Sequence, residues 1–185
     1  MIVLASSSPR RKALLENHGT AFIVDASFID EVLDESLDIE SKLMHLAAQK
    51  AYPIHQKYPY DIVIGADTIV YYNDKIIGKP IDKDDAKQIL LSLSCNVHRV
   101  YSAVAIYYGD DLECFIDYTD VYFKNIEPYL DTYLLSDEWI DKAGAYGIQG
   151  HAVIFVDHIV GDIETVIGLP TNKIIQSLKN HGGLK

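Results

Sequence analysis

The sequence predicts an α/β protein, and three observations carry that expectation. Short apolar runs of strand length alternate along the chain with stretches whose apolar residues recur at helical spacing. One run, from Asp61 to Tyr72, is almost continuously apolar, as in a central strand covered on both faces. Two long segments, Val97 to Tyr108 and Leu112 to Phe123, are joined by Gly109-Asp110-Asp111 and alternate between faces, as the arms of a hairpin do.

Met1 to Ala5 is the first strand, and it breaks into Ser6-Ser7-Ser8-Pro9-Arg10-Arg11. Ser8 predicts a helix N-cap and Pro9 the first helical residue, where a missing N–H costs nothing; the helix continues through Leu14 and Leu15 to Gly19. Free N–H groups, the positive end of the helix dipole and the guanidiniums of Arg10 and Arg11 together suit a phosphate. The competing reading is a capped surface helix with two solvated arginines. Ala21 to Val24 predicts a second strand. An acidic connection from Asp25 to Asp38 follows, in which Glu31 reads as one solvated carboxylate among many. From Ile39 to near Pro59 the pattern is helical, with Ile39, Leu43, Leu46, Ala47 and Ile54 on one face. Lys50 falls near the centre of that stripe. An ammonium there either snorkels along its own stem to water or is aimed into a site against phosphate or carboxylate.

Asp67 interrupts the run Ile62 to Val70. A carboxylate in such a strand costs on the order of several kcal/mol unless it is paired, hydrogen-bonded or metal-bound, so it is either satisfied by turn amides or functional. Gly65 and Ala66, just before it, are small enough to let a ligand approach the backbone. Asn73-Asp74 predicts a turn and Lys75-Ile76-Ile77 a returning arm closed by Gly78-Lys79-Pro80, in which Lys79 has no assigned task on its own. Asp82 caps the next helix, which buries Ala86, Ile89, Leu90 and Leu93; Asp84 and Asp85 complement its dipole. His98 and Arg99 read as structural residues at a strand end, and a further helix spans Glu127 to Leu135. Lys142 to Gly150 carries three glycines at spacing three, either bending the backbone around a ligand or forming a purely structural loop. Within it, Gln149 has the paired donor and acceptor that can read the edge of a base. Ala152 to Val160 predicts a last strand, Gly168-Leu169-Pro170 a tight turn and Thr171 to Lys179 a closing helix.

The 185 residues suffice for one core, with or without a small appended lobe, so residues 1–185 are expected to form a single domain. A hydrophobic content of 49% and a charged content of 23% are those of an ordinary globular protein. The 27 acidic residues against 16 basic ones give a net charge of −11, and the basic residues form no stripe, which disfavours a nucleic-acid partner. A polyanionic ligand in so acidic a chain calls for bound cations as well as arginines. Cys95 and Cys114 show no metal-binding spacing and read as reduced apolar residues. No apolar run has membrane-spanning length and the start has no signal-peptide pattern, so no membrane partner and a cytoplasmic location are expected.

Leu4-Ala5-Ser6 with Ser8-Pro9-Arg10-Arg11, Ile29-Asp30-Glu31, Gln49-Lys50-Ala51, Gly65-Ala66-Asp67-Thr68, Gly78-Lys79-Pro80, Asp141 through Gly150, and Gly168-Leu169-Pro170 occur in the order found in the Maf family of nucleotide pyrophosphatases, which the chain resembles over almost its full length. The resemblance implies an elongated, mixed, twisted α/β sheet flanked by helices, similar to the inosine-triphosphate pyrophosphatases, with the active-site cleft between two lobes. It implies hydrolysis of a nucleoside triphosphate to the monophosphate and pyrophosphate with Mg²⁺ or Mn²⁺, and a homodimer. By position, Asp67 matches the family's proton acceptor, with Lys50 and Lys79 as further catalytic positions and Glu31 beside Asp67 for the metal. Ser6, Arg10, Arg11, Thr68 and Gln149 match substrate-binding positions. The Gly144 to Gly150 loop resembles that of the branch acting on dTTP and UTP. Cys95, Ser102, Asp162-Ile163 and Thr171 depart from the usual pattern without touching the charged set. The alternative function is a nucleotide-binding regulatory protein linked to cell division, with little turnover.

Overall fold

From the first strand to the fourth helix the elements follow the order the sequence predicts. The computed structural model describes residues 1–26, 29, 32 and 34–184. The strands are β1 Ile2–Leu4, β2 Ile23–Val24, β3 Ile62–Tyr72, β4 Lys75–Ile77, β5 Val97–Tyr108, β6 Asp111–Phe123 and β7 Val156–Val160. The helices are α1 Pro9–Asn17, α2 Ile39–Lys57, α3 Lys83–Leu93, α4 Glu127–Tyr133, α5 Ile163–Ile167 and α6 Thr171–Asn180. The seven strands form one mixed sheet in the order β2-β1-β3-β5-β6-β7, with β4 also on β3. β1 runs parallel to β2 and β3, whereas β4 on β3 and β7 on β6 are antiparallel. Among the described residues no helix is long and apolar enough to cross a membrane.

The residues group into two compact units. The first comprises Met1–Asp67, Ser102–Asp117 and Gly168–Lys185. Its core includes Val3, Ala5, Ala51, Ile54, Val63 and Tyr107. Here α2 lies directly on β3: a Cβ on Gly65 would sit 2.6 Å from the Ala47 carbonyl oxygen and 2.7 Å from the Ala51 Cβ. Gly65 is therefore small because a helix approaches it, a correction to the expectation that the space serves a ligand. The far end of α2 is tied to the chain after β2, where the Asp25 carboxylate accepts from Lys57 at 2.5 Å and from the Tyr58 hydroxyl at 2.9 Å. Those bonds, Lys57 first, hold Asp25 below the usual carboxylate range.

The second unit comprises Thr68–Tyr101 and Tyr118–Ile167. Its core gathers Val70, Leu90, Leu93, Val121, Phe123, Tyr133 and Phe155 with their neighbours. Asn73 and Asp74 both take positive φ, 50° and 58°, in the two-residue turn between β3 and β4, as a type I′ hairpin requires. Asp82 caps α3 by accepting from the Asp85 N–H at 2.8 Å. The predicted strand from Ala152 to Val160 is only half strand: His151–Phe155 is a 3₁₀ turn and β7 begins at Val156. The reason is a spacing of three, since Ala152 and Phe155 are buried while Val153 and Ile154 between them are exposed.

Candidate active site

In the first unit, Ser8 caps α1 through its Oγ, which accepts from the Arg11 N–H at 3.4 Å, and Pro9 opens the helix. Ser6 is 8% exposed, and its Oγ accepts from the Ser8 N–H at 3.3 Å and from Arg11 Nη1 at 3.2 Å. Arg11 Nε donates to the carbonyl of Gly168 at 2.9 Å. The two adjacent arginines therefore differ: Arg11 is half-buried and splints the Ser6 loop to the Gly168 turn, while Arg10 is exposed at the helix start.

β1 and β3 are in parallel register, Leu4 opposite Ile64, and the Ala5 N–H donates to the Ile64 carbonyl at 2.8 Å. β1 ends at Leu4, two residues before Ser6, while β3 runs on through Ala66 and Asp67. Asp67 is 7% exposed, and its Oδ1 accepts a hydrogen bond from the Lys50 ammonium, which reaches across from α2. Lys50 does not snorkel, and Asp67 is satisfied by a cation rather than by turn amides. Two bonded sets thus lie in the first unit, Ser6 with Arg11 at the start of α1 and Lys50 with Asp67 across α2 and β3, each positioned by regular secondary structure or a bonded loop.

Beside them, Gln49 contributes something the sequence did not suggest. Its side-chain amide accepts from the Val32 N–H at 3.1 Å and donates to the Val32 carbonyl at 2.8 Å, fastening the acidic connection to α2 one residue before Lys50. A glutamine within a helix gives no local signal of such a partner. Glu31 lies outside the described residues. Among the described residues no group of three or more His, Cys, Asp or Glu side chains gathers to hold a metal. What they offer is the Asp67 carboxylate, a hard oxygen donor. That suits a cation of the Mg²⁺ type, which takes one or two carboxylates and completes its shell with waters and substrate phosphates, better than a metal needing a cage of His or Cys.

In the second unit Thr68 is half-buried, and Lys79 is exposed just after β4. The Gly144 N–H donates to the Gly78 carbonyl at 3.1 Å, joining the Gly78-Lys79-Pro80 segment to the glycine loop. Each glycine of that loop makes room for a side chain of the protein itself. A Cβ on Gly144, which has φ +71°, would lie 2.9 Å from Val70 Cγ2; on Gly147 it would lie 2.9 Å from Lys142 Cε; and on Gly150 it would lie 2.2 Å from Glu138 Oε2. The glycines thus make room for the protein's own side chains, and the loop presents Gln149 exposed in the turn closed by the Gly150 N–H to Gly147 carbonyl bond at 3.1 Å. His98 and Arg99 take the structural roles expected of them. His98 Nε2 lies 2.7 Å from the Tyr146 hydroxyl, and burial pushes its imidazole down to about 4. Arg99 forms a bidentate pair with Asp120 at 2.7 and 2.9 Å, which holds the guanidinium firmly charged, and stacks 3.8 Å from the centre of the Tyr118 ring.

The family described as Maf-like protein matches residues 1–181. A dTTP/UTP pyrophosphatase of Bacillus anthracis is 44% identical over 179 residues, covering 96% of this chain and 94% of that protein. One from a Geobacillus species is 43% identical over 182 residues, covering 98% of each chain. Among solved structures, a nucleoside-triphosphatase / dITP/XTP pyrophosphatase from Mycobacterium abscessus shares 12% identity at a TM-score of 0.43, over 66% of this chain and 73% of that one.

Proposed function

Because the chain belongs to the Maf family, matched over residues 1–181 and 44% identical to curated relatives, we propose that it hydrolyses dTTP and UTP to the monophosphate and pyrophosphate. The observation that carries this reading is the Lys50–Asp67 pair, an ammonium and a carboxylate sunk into otherwise apolar faces of α2 and β3. Two opposite charges at a helix–strand contact are dearer than a pair of apolar residues, so a purely structural account leaves them unexplained.

In this mechanism the start of α1 and Arg10 receive phosphate oxygens, and Arg11 holds the Ser6 loop in the shape that does so. Lys50 fixes the Asp67 carboxylate through Oδ1, and Oδ2 takes the proton from a water as that water's oxygen attacks the α-phosphorus. The bond from the α-phosphorus to the bridging oxygen breaks, and pyrophosphate leaves. Asp67, with Glu31, would hold a Mg²⁺ or Mn²⁺ ion, which supplies neutralisation of the charge that builds on the leaving group. The tasks given to Lys79 and Thr68, and the reading of the base by Gln149, are proposed on the family resemblance.

The test is to incubate the pure protein with a panel of nucleoside triphosphates and assay pyrophosphate, with Mg²⁺ or Mn²⁺ and again after chelation. Release from dTTP and UTP that stops on chelation and returns with the added cation is expected. Nucleotide binding without pyrophosphate from any triphosphate would instead support a regulatory protein.

A further inference from the structure

The turn that presents Gln149 is held from behind by two side chains to which neither the motifs nor the proposed chemistry gives a task. Glu138 and Lys142 stand four residues apart in the segment that leads into the glycine loop. The Glu138 carboxylate reaches the far corner of the turn. Its Oε2 accepts from the His151 N–H at 2.8 Å, and its Oε1 lies 2.6 Å from His151 Nδ1. Gly150 has φ −107°, outside the left-handed region that favours glycine, so a positive φ does not explain the glycine. Space does, because the Glu138 carboxylate occupies the place of its side chain, 2.2 Å from where a Cβ would stand.

Lys142 does the same at the near corner. Its stem runs 2.9 Å from where a Cβ on Gly147 would stand, and its ammonium turns back to donate to the Glu138 carbonyl. Between the two corners Ile148 points into the core, 7% exposed, and Gln149 points out. A four-residue turn gripped at both ends and anchored by a buried isoleucine leaves the outward side chain a narrow choice of direction, which is what a residue reading one base edge needs.

We propose that Glu138, seconded by Lys142, is a positioning residue that sets the direction of Gln149 and thereby the choice of base. This rests on the pyrimidine triphosphatase reading above. The experiment compares kcat and KM for dTTP and dGTP in the full-length wild type, Glu138→Ala, Glu138→Gln, Gly150→Ala and the double variant Glu138→Ala/Gly150→Ala, with a thermal melt of each.

Glu138→Ala is expected to lower the preference for dTTP over dGTP about tenfold, through KM for dTTP with kcat largely kept. Glu138→Gln, which keeps an acceptor for the His151 N–H, is expected to restore most of the preference. Gly150→Ala, by displacing the carboxylate, should reproduce the loss, and in the double variant it should add nothing further. An unchanged preference in Glu138→Ala, additive effects in the double variant, or an equal fall for both nucleotides alongside a lowered melt would overturn the proposal. If Glu138→Ala does not fold, the Glu138→Gln and Gly150→Ala comparison decides on the same criteria. A wild type without turnover of any triphosphate defeats the functional reading itself, whereas turnover with unmoved selectivity defeats this inference alone.

Discussion

Asp67 and Lys50 stabilise the fold only together, since each would be a buried or half-buried charge without the other. Removing one partner of such a pair leaves an uncompensated ion and is strongly destabilising, while replacing both by apolar residues is often neutral. Lys50→Met is therefore expected to cost about 3 kcal/mol in urea unfolding, and Lys50→Met/Asp67→Leu to recover most of that while remaining inactive. A double variant no more stable than the single would show that the ion pair is not what the fold depends on. His98 makes a separate prediction. Burial lowers its folded pKa to about 4 from an ordinary 6.5, so between those values the unfolded chain binds a proton that the folded chain refuses. The sign follows: stability falls as pH falls through that window, by about 2 kcal/mol at pH 5, and this group contributes no pH dependence above pH 7. His98→Gln, compared with wild type in urea titrations at pH 7 and pH 5, is expected to lack that part of the fall.

Among the elements, the contact of α2 with β3 sets the site. Ala47, Lys50, Ala51 and Ile54 follow one another at helical spacing, and Gly65 lets that face close on the strand. Gly65→Ala puts a methyl against the backbone oxygen of Ala47, so the helix must shift. The expected cost is about 2 kcal/mol in stability, with a loss of pyrophosphate release larger than the unfolded fraction explains, because Lys50 moves off Asp67. Activity that falls only in step with folded protein would count against this. At this scale much was legible beforehand. The Ser8-Pro9 cap, the α2 stripe and the Asp61 to Tyr72 run all announce themselves through local spacing. Lys50 and Asp67 stood out because each broke the pattern of its element. What the sequence concealed are partners distant along the chain or chosen by packing. The Gly168 carbonyl that receives Arg11 lies 157 residues away, Gln49 gives no hint that it grips Val32, and the helix above Gly65 was mistaken for room for a ligand. His151–Phe155 misled because its apolar letters fit a strand, while its burial has the three-residue spacing of a 3₁₀ turn. Cys95, one of the departures from the usual pattern, takes φ +57°, the left-handed conformation that glycine adopts without strain.

For the whole molecule, the tension is between a chain of net charge −11 and a tetra-anionic substrate. Global charge repels such a ligand, so in the proposed reaction recognition must come from groups placed at short range by the fold, as Arg10 and the start of α1 are beside the Ser6 loop that Arg11 ties to Gly168. The proposed reaction turns on a single bond, with water activated at Asp67 attacking the α-phosphorus of dTTP. The most direct measurement is hydrolysis of dTTP in ¹⁸O-labelled water with mass analysis of both products. The label is expected in dTMP, with unlabelled pyrophosphate and turnover lost in Asp67→Asn. Label in pyrophosphate or in orthophosphate, or a fully active Asp67→Asn, would contradict it.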